Sequence, residues 1–334
     1  MSTVGIIANP SAGKDIRRLI SQSRFISNQE KINILRRVIV GLGSMGVEKV
    51  LFMPDQSNLA RAAIEDLPTK IEFEFLDMAI FNAERDTTVA ASMMEERAVS
   101  AIVSLGGDGT NRAITKGTNQ IPLMPISTGT NNVFPFMIEG TLAGIATGCI
   151  AMGLIDAKKY APRTKLLKVD SEYSEPDLAL VDLAVSSERF VGARAIWDMS
   201  SVLELYLAMA NPTSIGLSAI GGMLHPVSRS SPEGIHLNFQ GPENKWEVLA
   251  PVTPGNLTAV EISNFEKIQP GNKYNIDQSP CTIAFDGERS MPLQKGQTVQ
   301  VELSLNGPLV IDPFLALEAA AANGVFVKPG NSRV

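Results

Sequence analysis

The sequence predicts an α/β fold in two parts: a Rossmann-like parallel sheet in the N-terminal domain, and a second, mostly antiparallel, β-sandwich-like domain. In the first half, short apolar runs alternate with helical patterns, which is typical of a doubly wound parallel sheet. In the second half, short strand-like runs follow one another with turn residues between them. The chain has 334 residues, more than one hydrophobic core usually serves, which also favours two domains.

The elements of the first half follow from local patterns. Apolar or alternating runs predict strands over 4–8, 49–53, 71–76, 101–105 and 121–126. Helical spacing predicts helices over 15–27, 29–40, 58–66, 84–97 and 141–152. The run Gly41-Leu42-Gly43-Ser44-Met45-Gly46 has the spacing of a dinucleotide-binding turn, but it follows a predicted helix instead of a strand. We therefore interpret Gly41 or Gly43 as a helix C-cap.

The second half is predicted to be mainly β. Its strand-like runs are 165–170, 178–186, 234–239, 246–250, 258–263, 282–285 and 299–305, and one helix is expected over 195–209. We place a Rossmann-like domain at 1–158 and a β-rich domain at 159–312. A C-terminal helix and tail occupy 313–334, and their return to the first domain is an open alternative.

The bulk composition excludes several classes of protein. The net charge is −6, whereas a general nucleic-acid binder is normally basic. Two cysteines and two histidines argue against a disulfide framework and a histidine-rich metal centre. The N-terminus lacks the pattern of a signal peptide, and the apolar stretch 142–155 is too short to span a bilayer. We expect a cytoplasmic protein without a membrane span.

The most informative motif is Gly106-Gly107-Asp108-Gly109-Thr110, followed by Asn111. A strand that ends in glycines and then begins a helix exposes backbone N–H groups that favour phosphate. Asp108 is unsuited to direct contact with phosphate, so its expected role is to hold Mg²⁺ or to accept a proton from a hydroxyl. A tight turn in which Asp108 caps the helix is the alternative.

Two further loops follow predicted strands of the same sheet. The first loop offers small polar groups and a mobile positive charge, at Asn9, Ser11, Gly13 and Lys14. The other is rich in hydroxyl and amide donors, at Ser127, Gly129, Thr130, Asn131 and Asn132. Ligands of open α/β sheets bind beyond the carboxyl ends of the strands, so we expect the three loops to meet there. Plain turns and an N-cap loop are the alternatives.

A fourth candidate, Asp286-Gly287-Glu288, follows the predicted strand 282–285. Asp-Gly is usually a turn, and that interpretation is favoured if these residues are taken alone. Together with the other loops, Asp286 and Glu288 become candidates for contact with a nucleotide or a metal.

These motifs resemble the superfamily of NAD kinases and of diacylglycerol and sphingosine-type kinases. Within it, 127–135 and 190–195 are most similar to the acetoin catabolism protein X branch. The resemblance implies a two-domain kinase in which Asp108 is catalytic. This sequence departs from that of NAD kinases at two places. Val181-Asp182 stands where they have an Asn-Glu pair, and Ile215 stands where they have a Tyr. Asp182 nevertheless remains a candidate binding residue at that position.

The sequence thus predicts a kinase that uses ATP and Mg²⁺ to phosphorylate a hydroxyl of NAD or of a related small molecule, with a link to acetoin catabolism as one option. Two alternatives stay open. One is a lipid or small-diol kinase, with an apolar groove lined by residues such as Trp197, Met199 and Leu203. The other is a nucleotide-binding accessory protein without catalysis. We also expect a homo-oligomer that does not bind nucleic acid.

Overall fold

The computed structural model describes residues 2–12, 26–129, 131–188, 199–241 and 245–327, and for residues 288–290 it describes the backbone alone. The predicted helix over 15–27 therefore lies almost entirely outside the described residues.

Five strands form a parallel sheet in the first half: β1 (Thr3–Ala8), β2 (Lys49–Phe52), β3 (Glu72–Phe75), β4 (Ala101–Gly106) and β5 (Leu123–Ser127). Their order is β3-β2-β1-β4-β5, and every pairing is parallel. β1, β4 and β5 are almost entirely buried, as strands covered by helices on both faces are. The predicted Rossmann-like sheet is confirmed, and the carboxyl ends of β1, β4 and β5 lie side by side.

The described residues up to Tyr160 contain six helices: α1 (Asn28–Ser44), α2 (Leu59–Ile64), α3 (Glu84–Glu96), α4 (Asp108–Gly117), α5 (Gly140–Ala151) and α6 (Ala157–Tyr160). α1 and α5 approach each other closely through glycines. A Cβ atom at Gly41 would lie 2.4 Å from the carbonyl oxygen of Thr141, and one at Gly144 would lie 2.2 Å from the carbonyl oxygen of Val38. Gly41 is thus a packing residue.

The prediction that Gly41 or Gly43 caps the helix is wrong. α1 continues to Ser44, and its end is followed by Gly46 in the left-handed region at φ +90°. Two glycines inside a helix look like a terminus in the sequence because glycine lowers helix propensity. Packing against α5 outweighs that propensity.

The second half contains twelve strands and one helix among the described residues: β6 (Leu166–Ser171), β7 (Asp177–Ala179), β8 (Asp182–Ser186), β9 (Val202–Leu207), β10 (Gly234–Asn238), β11 (Trp246–Thr253), β12 (Asn256–Ile262), β13 (Asn264–Ile268), β14 (Lys273–Ile276), β15 (Cys281–Phe285), β16 (Glu288–Leu293), β17 (Val299–Ser304) and α7 (Leu217–Leu224). They form a six-stranded sheet (β13-β10-β9-β8-β15-β16), a four-stranded sheet (β14-β17-β6-β7) and the hairpin β11-β12. The pairings are antiparallel.

One hydrophobic core lies between the six-stranded and four-stranded sheets, and a second lies under α7 and the β11-β12 hairpin. The predicted β-sandwich-like second half is confirmed. The helix predicted over 195–209 is wrong, because Val202–Leu207 is the strand β9 and Met199–Ser201 is a single 3₁₀ turn. β9 is buried on both faces, so its sequence lacks the alternation that marks a half-exposed strand.

A polar cluster is buried on the six-stranded sheet. The His236 ring stacks on Tyr206 at 4.2 Å between centroids. Its Nδ1 lies 2.9 Å from Glu266 Oε1, and its Nε2 lies 3.0 Å from Glu204 Oε2. The cluster joins the neighbouring strands β9, β10 and β13.

The C-terminal helix α8 (Pro313–Ala322) returns to the first half and packs on α5. Asp312 caps it by accepting bonds from the N–H groups of Phe314 and Leu315 at 3.0 and 3.1 Å. The Phe314 ring meets Phe136 edge-on at 6.2 Å. The domain boundaries at 158 and 312 stay predictions. Each helix in the described part of the chain is too short or too polar to cross a bilayer.

The contact between α1 and α5 makes a testable prediction about helix glycines. Gly41→Ala gains helix propensity worth up to ~1 kcal/mol but overpacks against α5, which typically costs about 1–3 kcal/mol, so a net loss of stability is expected. Gly43→Ala in the same helix is the matched control, because its Cβ would meet side chains and no backbone: the tip of Ile71 at 3.3 Å and Thr69 Oγ1 at 3.6 Å. Denaturant unfolding measures both. Equal effects of the two substitutions would contradict the interpretation of Gly41.

Candidate functional site

The candidate site lies at the carboxyl edge of the parallel sheet. Three segments meet there: the β1 loop (residues 9–12), the β4 loop (residues 106–110, including the first turn of α4) and the β5 loop (residues 128–136). They are neighbours because β1, β4 and β5 are adjacent strands. The expected convergence of the three loops is observed for their described residues.

Hydrogen bonds to side chains of α4 and α1 hold the β1 loop in place. Asn9 Nδ2 donates to Thr110 Oγ1 at 3.0 Å, and Asn9 Oδ1 accepts from the Ser11 N–H at 2.9 Å. Beneath the loop, the fully buried Lys31 donates from Nζ to the carbonyl oxygens of Asn9, Pro10 and Ala12 at 3.3, 2.8 and 2.7 Å. Sequence reasoning missed Lys31, because nothing in the amphipathic pattern of α1 distinguishes it. Gly13 and Lys14 lie outside the described residues.

The β4 loop requires its glycines for close approach. A Cβ atom at Gly106 would lie 2.5 Å from the Cβ of Thr110, and one at Gly107 would lie 2.7 Å from Asn132 Oδ1. Gly107 is also the N-cap of α4 and has no side chain to occupy the first N–H groups of the helix. These groups lack acceptors within the helix, so the helix N-terminus is suited to an anion.

Asp108, the first residue of α4, ties the β4 loop to the β5 loop. Its Oδ1 accepts from the N–H groups of Val133 and Phe134 at 3.1 and 2.8 Å, and its Oδ2 accepts from Val133 at 3.1 Å. The residue is 8% exposed. The carboxylate is therefore fixed in position and bonds to backbone N–H groups in this structure.

Several predicted ligand residues bond to one another. Asn111 is fully buried; its Oδ1 accepts from Ser104 Oγ at 2.6 Å, and its Nδ2 donates to the carbonyl oxygen of Gly107 at 2.8 Å. Asn132 Nδ2 donates to Ser127 Oγ at 2.9 Å, and Ser127 Oγ donates to the carbonyl oxygen of Gly129 at 2.9 Å. These contacts shape the loops. Gly109 and Asn131 are half-buried, and Thr130 lies outside the described residues.

Asp286 and Gly287 form the turn between β15 and β16, at φ +50° and +78°. The Asp286 carboxylate accepts from the N–H groups of Leu180, Val181 and Asp182 at 2.8–3.3 Å. Burial raises the pKa of Asp286, although the charge of Arg112 and these N–H groups act in the opposite direction.

Asp182 closes the same turn, because its Oδ1 accepts from the Gly287 N–H at 3.1 Å. The contacts of Asp182 and Asp286 are those of residues that hold a hairpin. These positions fit the interpretation of Asp286-Gly287 as a turn. The side chain of Glu288 lies outside the described part of the structure. Arg112 of α4 lies over the Phe285 ring at 5.5 Å and bonds to Glu84 at 3.1 Å, so this turn abuts the first half.

Arg229, which sequence reasoning missed, comes from the second half and reaches the β5 loop. Its Nη2 donates to the carbonyl oxygen of Phe134, and its guanidinium lies 4.6 and 4.7 Å from the ring centroids of Phe134 and Phe136. Burial lowers the pKa of Arg229 to about 10, while the charges of Asp312 and Asp108 act against this shift. The signal available in the sequence was a single arginine in a serine-rich turn.

Lys165 supports the segment that carries Arg229. It is 2% exposed, and its Nζ donates to the carbonyl oxygens of Ser231 and Glu233 at 2.7 and 2.5 Å. Burial lowers the pKa of Lys165 to about 8, and the charge of Glu233 partly opposes this shift.

Among the described residues, no group of three or more His, Cys, Asp or Glu side chains is arranged to hold a metal ion.

Two family models match this chain. Residues 4–153 match the family model of the ATP-NAD kinase N-terminal domain, and residues 165–306 match that of the acetoin catabolism protein X C-terminal domain. The chain is 36% identical over 315 residues to acetoin catabolism protein X of Cupriavidus necator, an alignment that covers 90% of this chain and 87% of that protein. Among solved structures it is similar to yeast NADH kinase complexed with NADH, with 13% identity, a TM-score of 0.47, and coverage of 100% of this chain and 89% of the other.

Lys165 gives a prediction on pH dependence. Its folded-state pKa of about 8 lies below the ordinary 10.5, so between these values the unfolded chain binds more protons and stability rises with pH. The free energy of unfolding of the native chain should therefore rise by roughly 1–3 kcal/mol relative to Lys165→Met from pH 8 to 10.5. Lys168→Met, which removes a charge from an exposed position of β6, the strand that follows Lys165, is the control. Parallel curves for the native chain and Lys165→Met would contradict the prediction.

Proposed function

The chain belongs to the acetoin catabolism protein X family, and on that premise we propose that it is a nucleotide-dependent phosphotransferase. It transfers the γ-phosphoryl group of ATP to a hydroxyl of NAD or of a related small molecule. The observation that carries the proposal is the meeting of three loops around the glycine-capped N-terminus of α4, with one carboxylate among them. The match of the first half to the ATP-NAD kinase N-terminal domain supports a nucleotide as ligand.

The described residues fit a phosphate chain better than they fit a dedicated metal centre. Gly106 and Gly107 allow close packing against Thr110 and Asn132, and the first N–H groups of α4 are donors for phosphate oxygens. Mg²⁺, when bound with ATP, would be held by the phosphates with Asp108 as the available carboxylate, and it would neutralise phosphate charge. The chain's own contribution is to position the nucleotide and the acceptor.

Asp108 would orient the acceptor hydroxyl and accept its proton. The bonds from Val133 and Phe134 fix the carboxylate at the start of α4, beside the proposed phosphate site. Phosphoryl transfer depends mainly on positioning and on charge stabilisation, so a fixed carboxylate suits it.

A non-catalytic nucleotide-binding protein is the second candidate. Both oxygen atoms of Asp108 accept bonds from backbone N–H groups, and Val181 is fully buried, which favours a structural role for these two residues. For a lipid or small-diol acceptor the structure gives less support. Leu203 packs in the core between the two sheets, as an ordinary core residue does, and Trp197 lies outside the described residues.

The direct test is to incubate the full chain with ATP, Mg²⁺ and NAD and to look for NADP by mass spectrometry, followed by a panel of small alcohols and diacylglycerol. Product from any acceptor supports the phosphotransferase and names its substrate. Thermal stabilisation by ATP without any product supports the non-catalytic alternative. Cytoplasmic localisation and self-association stay predictions from the sequence.

Asp108 gives the sharpest prediction from this proposal. Asp108→Asn keeps an oxygen that accepts from Val133 and Phe134 but removes the charge, so turnover should fall about 10²–10⁴-fold while stability stays within about 1 kcal/mol of the native chain. Asp108→Ala should lose turnover as well, and a further ~1–3 kcal/mol because buried N–H groups lose their acceptor. Kinetics and denaturant unfolding measure the two effects. Near-native turnover in Asp108→Asn would remove Asp108 from the mechanism.

A further inference from the structure

Arg229 is a residue of the second half whose polar contact lies in the first half. It sits between α7 and β10, on a segment anchored by the bonds from Lys165 to the carbonyls of Ser231 and Glu233. Ser228 Oγ and Ser231 Oγ, 2.9 Å apart, also bond across the base of this segment. The guanidinium is thus carried on a well-anchored turn.

The Phe134 peptide lies between Arg229 and Asp108. Its N–H donates to Asp108 Oδ1 at 2.8 Å, and its carbonyl oxygen accepts from Arg229 Nη2. The Phe134 and Phe136 rings lie against the guanidinium, with centroids 4.6 and 4.7 Å from its carbon. A movement of Arg229 would therefore be transmitted to the bond that holds the carboxylate.

The position of Arg229 is costly for a residue that serves only to pack. Its Nη1 is buried and has no hydrogen-bond acceptor among the described residues. A buried donor without an acceptor destabilises the folded state. An apolar side chain would pack on Phe134 and Phe136 without that cost. Packing alone therefore does not explain why a guanidinium occupies this position.

We propose that Arg229 is a positioning residue for Asp108: it fixes the Phe134 peptide from the second half and so keeps the carboxylate aligned at the N-terminus of α4. The inference rests on the proposed function for its catalytic consequence. Its structural consequence, the fixing of the Phe134 peptide, is independent of any ligand.

Arg163 provides a matched control. Its Nη1 donates to the carbonyl oxygens of Asn119 and Gly307 at 3.0 and 2.8 Å, so it also joins the two halves through backbone acceptors. Asn119 precedes β5, at the opposite edge of the parallel sheet from the three loops. Arg163→Met therefore removes an equivalent bridge away from the site.

The first experiment uses the protein alone and compares amide hydrogen exchange in the native chain, Arg229→Met, Arg229→Lys and Arg163→Met. The Val133 and Phe134 amides should exchange about tenfold faster or more in Arg229→Met, with Arg229→Lys between it and the native chain. Arg163→Met should leave these two amides protected even where it lowers the melting temperature. Unchanged protection in Arg229→Met would overturn the proposal.

The second experiment measures kcat and KM for ATP with the acceptor found in the product screen. Arg229→Met should lower kcat about tenfold or more and change KM less than about threefold, with partial rescue in Arg229→Lys. Arg163→Met should keep native kinetics at temperatures where it is folded. An equal loss of kcat in both variants would overturn the positioning role. If the native chain itself makes no product, the proposed function fails, and the exchange experiment still decides the role of Arg229.

Discussion

The structure depends on buried aspartates that accept backbone N–H bonds from distant segments. Asp108 accepts from Val133 and Phe134, and Asp286 accepts from Leu180, Val181 and Asp182. Bonds from N–H groups to an ionised carboxylate are stronger than neutral ones, and they satisfy donors that would otherwise be buried without partners. One aspartate fixes the β5 loop on α4, and the other fixes the turn beside α4.

Each of these aspartates interacts electrostatically with an arginine from the other half of the chain. Arg112 of α4 reaches Phe285 and influences Asp286, while Arg229 reaches Phe134 and is influenced by Asp108. The two halves are thus held together at the site itself, so the position of the second half bears on the geometry of the loops.

Hydrogen bonds within the three loops limit which of their groups could bind a ligand. Asn9, Asn111, Ser127 and Asn132 bond to other groups of the loops, so their side chains determine the shape of the site. In the proposed function, the donors for a phosphate are backbone N–H groups at the start of α4, where the N-cap Gly107 has no side chain that would occupy them. Such a site would bind phosphate through the backbone and leave the rest of a ligand to other residues.

The sequence by itself determined the order of strands and helices in the first half, the mainly antiparallel second half and the loops at the ends of β1, β4 and β5. These features follow from apolar periodicity and from glycines at turns, which are local properties. Prediction from the sequence failed at β9, where burial on both faces removes the alternation of apolar and polar residues. It also failed at Gly41, where contact with α5 outweighs helix propensity. Only the tertiary structure decided the partners of Asp108 and the reach of Lys31, Arg112 and Arg229. The physical reason is that these bonds join segments far apart in the chain, and their geometry is set by the packing of whole sheets and helices.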